Sequence, residues 1–141
     1  MQESPQEIEP LVLEADSKVA ARWKHPELFD SGFVGVPTHF LELYSLLNPP
    51  LTSGEAIFVV QLMNFKWNSK APFPGYATLA RRMGLSDKAV RRHAAALEAK
   101  KYLRRIKRVG TTNKFELSPL FDALLVAKEK FGTGKRRKQN D

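Results

Sequence analysis

Between positions 81 and 114 the chain holds twelve bases against two acids, Asp87 and Glu98, a local net charge of +10. Arginine and lysine at this density do one kind of chemistry well. Their N–H groups donate to phosphate oxygens, and the guanidinium fork also fits flat edges that carry paired acceptors. Within the stretch, Ser86, Asp87, Lys88, Arg91 and Arg92 crowd into seven residues. Arg81, Arg82, Arg104, Arg105, Lys107, Arg108 and Lys114 flank them on both sides.

The spacing separates two faces. At about 3.6 residues per turn, Val90, Ala94 and Leu97 fall on one stripe. Lys88, Arg92 and the small Ala95 fall opposite, with Arg91 at the edge. One face of such a helix packs inward while the other presents cations around a residue small enough to sit deep in a groove. Ser86 supplies the cap, its side-chain oxygen accepting from the first turn. A second helix precedes this one, with Tyr76, Leu79, Ala80 and Met83 at three-and-four spacing. Gly84-Leu85 separates the two, glycine accepting the left-handed conformation that ends helices. Two helices joined by a tight turn, the second cationic, have the form of a helix-turn-helix with its recognition helix.

After that helix, Leu103 to Val109 and Lys114 to Leu117 are predicted strands. Gly110-Thr111-Thr112-Asn113 forms the hairpin loop between them. The result is a two-stranded basic wing whose Ile106, Phe115 and Leu117 pack on the helices. Ahead of the pair, Thr52-Ser53-Gly54-Glu55 reads as a capping box. It opens a helix to about Lys66 that is apolar nearly all round, as a central buried helix should be. Further upstream, Pro37 suits the first turn of a helix carrying Phe40, Leu41, Tyr44, Leu46 and Leu47, stopped by Asn48-Pro49-Pro50. Phe33 to Val36 is read as a short edge strand and His25 to Gly35 as largely loop. Ile8, Leu11, Val12, Ala15, Val19 and Trp23 recur near helical spacing and predict an N-terminal amphipathic helix. Ser118, with Pro119 behind it, is read as the cap of a last helix bearing Leu120, Phe121, Leu124, Leu125 and Phe131. Each outer helix either covers the core or pairs two subunits, and the sequence leaves both open.

The chain has 141 residues, a net charge of +8 and no cysteine. That suits one domain with tails, an acidic partner and no disulfide or thiolate metal site. Residues 1–30 carry seven acids and three bases, so the positive charge is concentrated further on. No run of about 18 apolar residues predicts a membrane span, and the acidic start lacks the apolar centre of a secretory signal. A cytoplasmic, nucleoid-associated location is expected. The division expected is an acidic extension over 1–31, the folded domain with its C-terminal helix over 32–131, and a basic disordered tail over 132–141.

The order helix, L-A-x-x-x-G-L-S-x-x-x-V-R, wing resembles the winged helix-turn-helix family, with residues 73–103 as its centre. "LTSGEAIFVVQLMNF" stands where that family has its first helix. With "GFVGVPTHFLELYSLL" in front, the similarity extends over about residues 32–117 to the N-terminal domains of phage and plasmid replication initiators. The resemblance implies a mainly α (α+β) fold: a three-helix core, a two-stranded wing and flanking helices. It also implies that Ser86, Asp87, Lys88, Arg91 and Arg92 face bases, while Arg81, Arg82, Arg104, Arg105, Lys107, Arg108 and Lys114 hold phosphates. Arginine or lysine donates to guanine O6 and N7, and Asp87 accepts from cytosine N4. Asp87 has an equal reading as an acid favoured by the helix dipole. Two departures are Gly75, where the family often has a capping serine, and Lys101, where it often has glycine. Either Lys101 takes positive φ at a cost of roughly 1 kcal/mol or the helix ends differently.

Catalysis finds no support. Gly132-Thr133-Gly134-Lys135 lacks the leading glycine, with Glu129 in its place, and lacks the following Ser or Thr of a phosphate loop. His25, His39 and His93 have no metal-like spacing, and His93 reads as a partly buried structural residue. The expectation is a non-enzyme without cofactor or metal. It binds double-stranded DNA sequence-specifically, as a replication initiator or a transcription regulator, with a homodimer and the replication or transcription machinery as further partners. RNA binding and a protein-interaction winged helix are the alternatives. The first lacks an exposed aromatic platform for unpaired bases. The second does not account for cations placed on the recognition helix.

Overall fold

A computed structural model describes residues 19–66 and 69–132. The apolar positions Ile8 to Ala15 and the basic tail from Lys135 to Lys138 lie outside the described residues. Helix α1 spans Thr38–Leu43, α2 Ser53–Asn64, α3 Tyr76–Met83, α4 Asp87–Ala99 and α5 Ser118–Phe131. Strands β1, Arg104–Ile106, and β2, Lys114–Glu116, pair antiparallel in one two-stranded sheet. The architecture is a winged helix-turn-helix: α2, α3 and α4 form the trihelical centre and the β-hairpin follows it.

The local rules explain most boundaries. The Thr52 oxygen accepts from the Glu55 N–H at 3.1 Å, and the Glu55 carboxylate accepts from the Thr52 N–H at 2.9 Å. This closes the box that starts α2. Ser86 accepts from the Ala89 N–H at 3.1 Å and caps α4, a contact of about 1 kcal/mol. Gly84 takes φ +67 at the end of α3, and the Leu85 N–H reaches back to the Ala80 carbonyl at 3.0 Å. The end of α4 repeats this with Lys101 at φ 72, the first of its two readings, and Tyr102 N–H on the Leu97 carbonyl at 3.0 Å.

Burial follows the stripes. Phe58, Val59 and Leu62 of α2, Leu79 of α3 and Val90, Ala94 and Leu97 of α4 are fully enclosed. Phe40 and Leu43 of α1 join the same core, as do Leu120 and Leu124 of α5. The end of α4 is tied to the start of α2. The Lys100 ammonium donates to buried Glu55 at 2.6 Å and to the Pro50 carbonyl at 2.8 Å, while the Tyr102 hydroxyl donates to the Pro49 carbonyl at 2.6 Å. Gly54 leaves room for a histidine: a Cβ there would stand 2.7 Å from the His93 ring, so α2 and α4 approach closely at this point. His93 is half-buried beside Phe58, as a structural histidine.

Several expectations are corrected. Phe33 to Val36 forms no strand, having no partner strand among the described residues. Ala20–Trp23 and Pro26–Phe29 are single 3₁₀ turns, and Trp23, assigned to an apolar stripe, is exposed. Helix α1 ends at Leu43, and Leu41 and Leu46 point outward while Phe40, Leu43 and Leu47 are buried. Ile57 likewise leaves the core, so α2 is buried on one side rather than all round. Leu117, not Ser118, is the residue ahead of α5, and no side chain caps that helix. The Ser118 hydroxyl instead donates to Glu116, which holds the Glu116 carboxyl below its ordinary range. Leu120 and Leu124, candidates for a subunit contact, face inward because α5 packs on α1. Among the described residues no helix is long and apolar enough to cross a membrane.

Candidate nucleic-acid interface

The start of α4, with its cap Ser86, and the face of α4 away from the core carry every residue expected to meet bases. Ser86, Asp87, Lys88, Arg91, Arg92 and Ala95 are all exposed, because Val90, Ala94 and Leu97 anchor the opposite side. The Ser86 oxygen is already engaged as the cap. Among the described residues none forms an ion pair with Arg81, Lys88 or Arg92. These cations face solvent with their donors available to an anion.

The wing is shorter than its sequence promised. Each strand has three residues, with Arg104 opposite Glu116, Arg105 opposite Phe115 and Ile106 opposite Lys114. Residues 107–113 form the connection. Within it the Arg108 side chain turns back: Nε donates to the Thr112 carbonyl at 2.8 Å and Nη2 to its hydroxyl at 3.2 Å. The same guanidinium lies 4.9 Å over the Phe73 ring. The Thr112 hydroxyl donates to the Phe73 carbonyl at 2.6 Å, and the Phe115 N–H donates to the Pro72 carbonyl at 2.8 Å. The hairpin is thus fastened to the segment before α3, which offsets the marginal stability of an isolated hairpin.

Strand alternation decides which wing side chains face the helices. Register places Arg105 and Phe115 on the inner side, so Ile106 turns outward and is exposed, contrary to expectation. A cation turned inward needs a partner. Glu98 provides it, accepting from Arg105 Nη2 at 2.6 Å, from Nε at 3.0 Å and from the backbone N–H at 3.3 Å. These bonds hold the Glu98 carboxyl below its ordinary range and raise the Arg105 guanidinium above its own. Arg105 Nη1 also donates to the Tyr76 hydroxyl at 3.1 Å. Arg105, expected among the phosphate ligands, is therefore occupied inside the molecule, where it joins β1 to α4.

Other expected phosphate ligands divide the same way. Arg82 donates to Asn64 at 2.7 Å and lies 4.7 Å over the Phe65 ring, whereas Arg104 and Lys107 are exposed and Lys114 is half-buried. Arg91 lies 4.4 Å over the Tyr76 ring. Tyr76, Arg91, Thr111 and Asn113 border one small cleft of about 220 Å³ between the wing and α4. The recognition helix and the wing tip therefore flank a common opening. A wider, mostly apolar cleft of about 630 Å³ lies between the end of α2 and the start of α5, and no residue of α4 lines it.

Sequence reasoning missed Tyr76, which it used only as part of an apolar stripe, and Glu98. The signal for Glu98 was present: it is one of two acids in a stretch of twelve bases, and an acid kept there serves a neighbour.

Residues 50–103 match the family model of a helix-turn-helix domain, a span that takes in α2, α3, α4 and the turn between the last two. The match supports a helix-turn-helix DNA-binding family. No curated protein matches the chain.

Proposed function

We propose that this trihelical unit and its wing bind double-stranded DNA sequence-specifically, as a replication initiator or a transcription regulator. The observation that carries the reading is the exposed face of α4. Lys88, Arg91 and Arg92 surround the small Ala95 there, and the wing tip borders the same opening. A helix of this shape fits the major groove, where lysine and arginine donate to guanine edges. Arg81, Arg104, Lys107 and Lys114 are assigned in this reading to the phosphates on either side, which fix the register without reading sequence. One recognition helix covers a short half-site, so two copies spanning about one DNA turn complete the reading. With Leu120 and Leu124 in the core, the exposed Phe121 and Leu125 on α5 are, among the described residues, candidates for pairing.

Selection of binding sites from random duplexes tests this. A recovered consensus, with sites clustered at an origin of replication or at promoters of the source genome, is the expected result and also separates the two roles. Recovery of no consensus, or equal binding to all duplexes, removes sequence-specific recognition.

A further inference from the structure

We propose that Tyr76 is a positioning residue that holds Arg91 in a fixed orientation for base reading, an inference that rests on the function proposed above. Arg91 stands at the edge of the exposed face of α4, not at its centre. Left to itself, a long arginine at such a place samples many rotamers, and ordering them opposes binding. Here the guanidinium lies 4.4 Å over the Tyr76 ring. Attraction between a guanidinium and the face of a ring restricts the side chain's rotamers while leaving N–H donors free for a pair of acceptors.

The ring is itself held from three sides. Its hydroxyl accepts from Arg105 at 3.1 Å and from Asn113 of the wing at 3.4 Å. Its edge meets Phe115, wholly buried, with centroids 5.8 Å apart and planes at 79°. Arg105 is locked in turn by Glu98 of α4. Tyr76 belongs to α3, yet it is clamped to the wing and, through Arg105, to α4. The guanidinium is thereby referenced to all three elements that would approach DNA. Among the described residues no ring lies beneath exposed Arg92 or Lys88, so the arrangement singles out Arg91 among the cations on the exposed face of α4.

The test uses the full chain, a preferred duplex and a scrambled duplex of equal length, at one salt concentration. Tyr76→Phe keeps the ring and its contact with Phe115 but gives up the two hydrogen bonds to its hydroxyl, and is expected to lose less than half as much of the preference as Tyr76→Leu. Tyr76→Leu removes the ring and is expected to lower that preference about three- to tenfold, with affinity for the scrambled duplex changed by less than about twofold. Tyr76→Leu added to Arg91→Ala is expected to cost nothing further. In the free protein, the Arg91 side-chain protons should show an upfield ring-current shift in NMR spectra that persists in Tyr76→Phe and vanishes in Tyr76→Leu. Should Tyr76→Leu fail to fold, Tyr76→Met carries the same expectations with a longer apolar side chain. Unchanged preference on loss of the ring, additive losses in the double variant, or no ring-current shift would each overturn the role of Tyr76 alone. A wild-type protein with no preferred duplex would overturn the proposed function and this role together.

Discussion

The bonds that Glu98 accepts from Arg105 decide how the wing answers to pH. The hydrogen bond from the Arg105 side chain is the largest influence on the Glu98 carboxyl and lowers it, with burial next and acting in the other direction. A carboxyl depressed in the folded state contributes stability above its ordinary value and loses it as the pH falls through the folded one. Acidification below 4.5, the ordinary value for glutamate, should therefore loosen the junction of β1 with α4. Glu98→Gln should cost about 0.5–1 kcal/mol at neutral pH, since the pair is partly solvated, and should flatten the fall of melting temperature below that pH. Thermal unfolding of both proteins from pH 7 to pH 3 checks this; parallel curves would show that the pair does not couple to stability. Arg92 and Lys107 behave differently because, among the described residues, no hydrogen bond, ion pair or ring holds them. Arg92→Ala should weaken the selected duplex by about 1–3 kcal/mol and scrambled DNA much less, whereas Lys107→Ala should weaken both alike. Equilibrium titration of the four combinations separates the two roles.

At the scale of elements, the end of α4 carries a cost that a single substitution can remove. Lys101 occupies φ 72, where a β-carbon crowds the backbone by roughly 1–2 kcal/mol. The position closes the helix with the Tyr102 N–H on the Leu97 carbonyl, so the conformation cannot be relaxed without losing the turn into β1. Lys101→Gly should raise stability by about 1 kcal/mol in denaturant unfolding, and an unchanged or lower midpoint would contradict the strain. This feature was legible in the sequence because it follows from a departure at one position of a known turn. So were the caps at Thr52 and Ser86 and the stripe of α4, all governed by neighbours within four residues. What the sequence hid depends on register and on contacts across the chain. The inward turn of Arg105 and the outward turn of Ile106 follow from strand pairing with Phe115 and Lys114, and no local preference favours an arginine inside. The same holds for α5, whose Leu120 and Leu124 had no visible partner until α1 was found against them. Among the site residues, the exposed face of α4 was readable from periodicity alone. Arg82, Arg105 and Arg108 were not, because a cation tied down by Asn64, Glu98 or Thr112 has the same sequence signature as one left to solvent.

For the whole molecule, charge placement sets how binding must respond to salt. The chain carries +8, yet residues 81–114 alone carry +10, so the field is strongly polarised toward α4 and the wing. Such a field speeds encounter with a polyanion and weakens steeply as counterions accumulate. The slope of log affinity against log salt counts the phosphates neutralised, at about −0.9 for each on duplex DNA. Arg105 is paired with Glu98, and Arg82 and Arg108 are held by internal hydrogen bonds and rings. The twelve bases therefore overstate the contacts available. With Arg81, Arg104, Lys107 and Lys114 as the phosphate-facing set and Lys88 and Arg92 close to the same backbone, about four to six phosphates per copy are expected, giving a slope between about −3.6 and −5.4. Titrations of a single-site duplex between 50 mM and 300 mM salt measure it. Arg105→Ala separates this reading from a simple count of charges. If the guanidinium serves only to join the wing to α4, its loss should reduce affinity and stability but leave the slope unchanged, because no phosphate contact disappears. A slope shallower by about one unit would instead place Arg105 on the DNA, and the ion pair with Glu98 would then have to open on binding.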